Sequence, residues 1–140
     1  MESNYQCPEC KSFLQIGENL IFTIHATKGG KRGLIILNPG VGNYAYINHP
    51  SFKFEEGEMV EFYCPVCHEN LTAYEISNHL VKVIYLDSEG MQYELYFSKI
   101  AGEHTTFKIE RDSIIEKYGE DSSSYLNYFM AKLNEKLKNL

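Results

Sequence analysis

The sequence predicts an α+β protein. Antiparallel β structure is assembled around paired cysteine hooks and is followed by an additional β-hairpin and a C-terminal amphipathic helix. Three observations carry this expectation. Cys7-Pro8-Glu9-Cys10 and Cys64-Pro65-Val66-Cys67 hold all four cysteines of the 140-residue chain. The apolar runs around them are short, β-branched or aromatic, and bounded by Gly, Pro and Asn, which favours strands over helices by length and composition. From residue 122 onward the apolar period changes to steps of three and four, one face of an α-helix.

The elements follow in order. Tyr5 and Phe13 flank the first hook, where they could pack over a metal, and Gly17 releases the chain into a strand at 20–25. Lys28-Gly29-Gly30-Lys31-Arg32-Gly33 reads as a flexible turn, with 34–37 returning as the partner strand and Asn38-Pro39-Gly40 ending it. The result is a hairpin with a basic tip. Residues 44–47 suggest a short strand, and 59–63 a strand running straight into the second hook. Residues 71–80 fit a short helix or a loop. The runs 80–86 and 91–97, joined by Asp87-Ser88-Glu89-Gly90, predict a hairpin. Residues 105–109 predict a further strand and 112–118 a helical turn. Beyond Gly119, Leu126, Phe129, Leu133, Leu137 and Leu140 share a helix face. Asp121 or Ser122 is placed to cap its start, and Lys132, Lys136 and Lys138 lie toward its end, where the helix dipole favours cations. The duplicated hook is the only internal repeat evident in the sequence.

Composition sets the class. The chain is 44% hydrophobic and 14% aromatic, with eleven Tyr, eight Phe and no Trp, which is a folded composition of single-domain size. A net charge of −6 repels phosphate backbones unless the cations gather on one face. Met1-Glu2-Ser3-Asn4 lacks the basic region and apolar run of a signal peptide, and the longest purely aliphatic stretch, 34–37, is far too short to span a bilayer. The expectation is a cytoplasmic protein with no membrane association, in which paired cysteines hold metal rather than form disulfides.

Each hook can place two thiolates on one side of a tight turn, and two facing hooks give the tetrahedral four-sulfur cage that a structural zinc prefers. Pro8 and Pro65 fix one backbone angle and help each turn close. A closed four-cysteine set, Cys7, Cys10, Cys64 and Cys67, leaves no open position for Lewis-acid chemistry, so its effect is on folding. Other chemistries compete for the same residues. Cys64-Pro65-Val66-Cys67-His68 fits the C-x-x-C-H of covalent haem attachment, which needs export and leaves Cys7 and Cys10 without a role. A single Cys-Pro-x-Cys suits a redox dithiol at a helix N-terminus. Iron held by the four thiolates would make a rubredoxin-like electron carrier.

The paired Cys-Pro-x-Cys hooks, with strands and a hairpin between them, resemble the zinc ribbon fold group. More weakly, they resemble the bacterial CPXC-domain proteins, in which a Cys-Pro-x-Cys near the start is answered by a strand and a second Cys-Pro-x-Cys. The resemblance covers roughly residues 5–72 and implies that Cys7, Cys10, Cys64 and Cys67 are the metal ligands. Two features depart from it. Lys11 and His68 stand where many ribbons have Gly, and the gap between hooks is longer than the common spacing of roughly 15–20 residues. The fold of residues 73–140 lies outside the resemblance. The expected organisation is a zinc-ribbon-like region with an inserted hairpin over 1–75, then a β-hairpin and C-terminal helix over 76–140, packed together as one unit.

The remaining candidates are weaker. Lys28, Lys31 and Arg32 form the only basic cluster and could grip a nucleic-acid backbone, although Lys and Gly are ordinary at a solvated hairpin tip. Gly40-Val41-Gly42 lacks the length and the Lys of a phosphate loop. His25, His49, His68, His79 and His104 show no helical ligand spacing; His68 alone adjoins the hooks, where it could support or replace a thiolate. Tyr44, Tyr46, Tyr63, Tyr85, Tyr93 and Tyr96 fit core and cross-strand positions better than a base-stacking platform, because few cations interleave them. No catalytic or organic-cofactor constellation is visible. The leading functional expectation is a non-enzymatic structural-zinc protein that presents its sheet, and its helix face, to a protein partner or a second copy of itself. The alternatives are a nucleic-acid-binding ribbon and a redox or electron-transfer protein.

Overall fold

A computed structural model describes residues 3–28, 30–110 and 113–138. Among these residues ten strands form two antiparallel sheets, with one α-helix at the C-terminal end. The first sheet runs β1 (Asn4–Gln6), β7 (Leu80–Leu86), β8 (Gln92–Ser98), β9 (Thr106–Glu110), β10 (Ser113–Tyr118). The second runs β2 (Gln15–Ile16), β3 (Asn19–Ala26), β4 (Arg32–Leu37), β5 (Tyr46–Asn48), with β6 (Val60–Tyr63) also on β3. The predicted α+β class is what forms.

Alternation explains why these segments are strands. In β3, Leu20, Phe22, Ile24 and Ala26 turn inward while the residues between them turn out, the period-two pattern of a half-buried strand. Inward residues of both sheets make one core, in which Phe22, Phe62 and Phe97 meet ring to ring at 5.4–5.8 Å. On the far face of the first sheet a second cluster gathers around Tyr96, Phe107 and Ile109. There α1 (Leu126–Lys138) lays Phe129 against Phe107 at 4.2 Å and Tyr96 at 5.1 Å between ring centroids.

Three local expectations are corrected. The predicted helical turn at 112–118 is strand β10 over its described part. Its apolar, β-branched start suits a strand, and it pairs with β9 through a bulge between Ile114 and Glu116. Residues 71–80 form no helix; Thr72 bridges Val81 and turns follow. The C-terminal helix begins at Leu126, after a single 3-10 turn at Ser122–Ser124, and Asp121 makes no side-chain cap. Its carboxylate accepts the His104 N–H instead, at 2.9 Å. Of the predicted helix face, the side chains of Leu133, Leu137 and Leu140 lie outside the described residues.

The register reveals an internal two-fold relation much longer than the hooks. Gln6 pairs with Ile84 and Tyr5 with Tyr85; fifty-seven residues on from Gln6 and Tyr5, Tyr63 pairs with Thr23 and Phe62 with Ile24. Ile21 N–H bonds Leu14 O and Lys82 N–H bonds Leu71 O, both at 2.9 Å. Ile21 lies opposite Ile36, and Lys82 opposite Tyr96. The unit strand–hook–return–hairpin therefore occurs twice. Each hook's leading strand pairs with the hairpin of the other unit, while its return segment stays on its own.

Candidate metal centre

Each hook sits at the tip of a narrow hairpin with one leg in each sheet. For the first hook, β1 runs in along β7, and the chain leaves through β2 along β3. For the second, β6 runs in along β3, and Thr72 leaves along β7. The two tips therefore meet where the sheets join.

Local geometry is the same at both tips. Cys7 N–H bonds Ser12 O, and Cys64 N–H bonds Glu69 O, each at 3.0 Å. Lys11 N–H closes on Cys7 O and His68 N–H on Cys64 O, at 3.0 and 2.9 Å. Lys11 and His68 occupy the left-handed region, with φ of 64° and 69°. This is the backbone state that Gly adopts freely, so both residues hold a conformation that usually calls for Gly. Two backbone N–H groups point at the first sulfur of each hook: Glu9 and Cys10 at Cys7 Sγ (3.3 and 3.5 Å), Val66 and Cys67 at Cys64 Sγ (3.3 and 3.4 Å). Such donors stabilise thiolate charge.

The four Sγ atoms lie within 4.8 Å of one another. Cys7 and Cys67, and likewise Cys10 and Cys64, are 3.8 Å apart. A disulfide would need roughly 2.05 Å, whereas a tetrahedron with metal–sulfur bonds of about 2.3 Å has edges of about 3.8 Å. The donor set therefore fits a thiophilic divalent ion, and zinc and iron both suit four sulfurs. The two thiols of the first hook are shifted in opposite directions. Burial pushes the Cys7 thiol up to about 12, against the Cys10 and Glu9 N–H groups. The side chain and then the backbone of Ser12 hold Cys10 down to about 6. Neither hook opens a helix, so the dipole that activates a redox dithiol does not bear on these sulfurs.

The other predicted residues lie apart from the cage. Tyr5 is buried, packs its ring at a tilt against Tyr85 and donates to Pro39 O at 2.7 Å; Phe13 is 59% exposed. His68 is exposed, and its ring is not among the converging ligands. The three tip cations go to three different partners. Lys28 pairs with Glu55 at 3.6 Å, Lys31 reaches Ser51 O at 3.4 Å, and Arg32 lies 6.0 Å over the Tyr63 ring. His104 stacks on Tyr44 at 4.5 Å and contacts Glu120 at 3.0 Å, far along the chain from the hooks.

Sequence reasoning missed a buried ion pair behind the second hook. Lys99, 3% exposed, gives its ammonium to both Glu61 oxygens (2.9 and 2.8 Å) and to Thr72 Oγ1 (2.8 Å). Glu61 also accepts from Asn70 and Thr72. Burial alone would raise the Glu61 carboxyl, but the hydrogen bonds and charge of Lys99, aided by Asn70 and Thr72, hold it below the usual carboxylate range. The network ties β6 to the return leg of its hook. The one available signal was Glu61 facing outward in an otherwise apolar strand.

Among the described residues no helix is long and apolar enough to cross a membrane. No protein-family model, no curated protein and no solved structure matches the chain, so its likeness to known proteins rests on the four cysteines and the turns that carry them.

Proposed function

We propose that the chain is a structural-zinc protein-interaction module with a zinc-ribbon-like centre and no enzymatic role for its metal. The observation that supports this most directly is the closed set of four sulfurs at the junction of the two sheets. An ion there acts on architecture, because all four of its positions are taken by protein.

The interaction face is the outer side of the second sheet. Ile21, Ile36 and Ile47 stand directly opposite one another across β3, β4 and β5, facing away from the core. Ile16 and Ile47 are each 69% exposed and Leu34 is 58% exposed. Internal symmetry supports a choice of occupant for such a row. The equivalent positions on the first sheet, Tyr96 on β8 and Phe107 on β9, are covered by Phe129 of α1. The second sheet has no helix of its own among the described residues. The partner is accordingly an amphipathic helix, laid on the isoleucine row as α1 lies on its counterpart.

Metal analysis tests the first half. Protein purified without added metal should carry about one zinc per chain, with its thiols shielded until chelation. Iron would make it an electron carrier, and metal-free protein with four reactive thiols would end the proposal. A photo-cross-linker at Ile47, with the same group at Lys117 as control, tests the second half. Segments captured only at Ile47, carrying apolar residues at three- and four-residue spacing, are expected. Equal capture at both positions would remove the face from consideration.

A further inference from the structure

We infer that the space between the two sheets, on the side of the 38–45 loop, is a binding site for a small apolar molecule, aromatic or short-chain aliphatic. A pocket of about 150 Å³ opens there. Its walls are Leu20, Ile35 and Leu37 of the second sheet and Leu95 and Phe97 of the first, with Val41 of the loop at the mouth. Packed sheets normally leave few spaces larger than a water molecule between them, so a partly open apolar space of this size between the two sheets stands out.

Several of the polar groups that line it already have partners, which favours an apolar ligand. Tyr5 OH donates to Pro39 O at 2.7 Å. Tyr44 OH is bonded to Thr106 Oγ1 at 2.9 Å. All three Lys99 ammonium protons are directed to Glu61 and Thr72. Ser98 Oγ donates to Glu103 at 2.7 Å and accepts the Ile100 N–H at 3.0 Å. A ligand that sought hydrogen bonds from these four side chains would compete with the bonds they already make. Apolar cavities of about 150 Å³ lined by Leu, Ile and Phe stay dry and take up benzene, and the site is therefore selective for shape and apolarity.

Benzene titration of the metal-loaded full-length protein, read by methyl NMR, tests the inference. Saturable shifts are expected on Leu20, Ile35, Leu37, Val41 and Leu95, with none on the exposed Ile16 and Ile47. The melting temperature should rise by several degrees at roughly one hundred times Kd. Leu95→Phe, and independently Val41→Trp at the half-buried loop position, should weaken binding at least tenfold by filling the space. If Leu95→Phe fails to fold, Val41→Trp decides. The inference is overturned if no saturable shift appears, if Ile16 and Ile47 shift equally, or if Val41→Trp binds like the parent.

Discussion

Replacing Lys99 by Met should be among the most damaging single changes outside the cysteines. The substitution keeps a flexible apolar stem in a site where the side chain is 2% exposed, so the loss is electrostatic rather than one of packing. It leaves the Glu61 carboxylate, 19% exposed, with Asn70 and Thr72 but no cation. Breaking a buried pair from one side costs about 3–5 kcal/mol. The residual exposure of Glu61 places this case near the lower end, at about 3 kcal/mol, or ~10 °C in melting temperature for a chain of this size. Lys99→Met with Glu61→Gln removes the stranded charge and should recover at least half of the loss. The pH dependence has a definite sign. Because the folded Glu61 carboxyl titrates below its unfolded value, its contribution is fully present above about pH 4.5 and is lost as pH falls through the folded value. That acid-side slope should flatten in Lys99→Met. Urea unfolding of metal-loaded protein at several pH values measures all of this. A cost below about 1 kcal/mol for Lys99→Met, or a double variant no more stable than the single, would refute the reasoning.

Three further outcomes follow from the geometry. Phe129→Ala removes the ring that seats α1 on Tyr96 and Phe107, and should cost about 3–5 kcal/mol in equilibrium unfolding. Lys11→Gly and His68→Gly relieve left-handed backbone at each hook and should each stabilise the metal-loaded protein by about 0.5–1 kcal/mol; a loss instead would mean that these side chains support the hooks. Gly119→Ala, at φ 95° with a Cβ that would collide with the His104 carbonyl, should cost roughly 3 kcal/mol or more by thermal denaturation, because the obstruction is backbone.

Much of the strand content was legible because short β-branched or apolar runs such as 20–25 and 80–86, bounded by turn residues, carry it directly, and the cysteine hooks declared their own geometry. The pairing of those strands was not legible. That β1 joins β7 rather than a strand of its own half depends on contacts some eighty residues apart, and Tyr5 gives no local sign of Tyr85 as its partner. The two-fold relation was hidden because it is conserved in hydrogen bonding and not in residue type: Ile36 corresponds to Tyr96, and Lys11 to His68. Residues 112–118 were read as a helical turn, whereas pairing with β9 makes their described part a strand. The uncovered isoleucine row was equally invisible, since alternation says which residues share a face but not which faces find a cover.

The crossed arrangement of the hook hairpins makes metal removal a local event with a defined boundary. A metal bridging Cys10 and Cys64 closes a loop of 54 residues, and a cross-link of that length stabilises by about 4 kcal/mol in the loop-entropy treatment. The ring core of Phe22, Phe62 and Phe97 and the helix packing on Phe107 do not depend on the cage for their contacts. Chelation should therefore free the hooks first. Amides of Cys7, Lys11, Leu14, Cys64, His68 and Leu71, all bonded within the hook hairpins, should exchange at least tenfold faster. Ile21 and Lys82, whose N–H groups bond the return legs, should follow, while β8 and β9 keep their protection. Native-state hydrogen exchange with and without chelator measures this order. Uniform acceleration across β8 and β9 would mean that the sheets have no stability of their own, and unchanged hook amides would mean that no ion had been holding them.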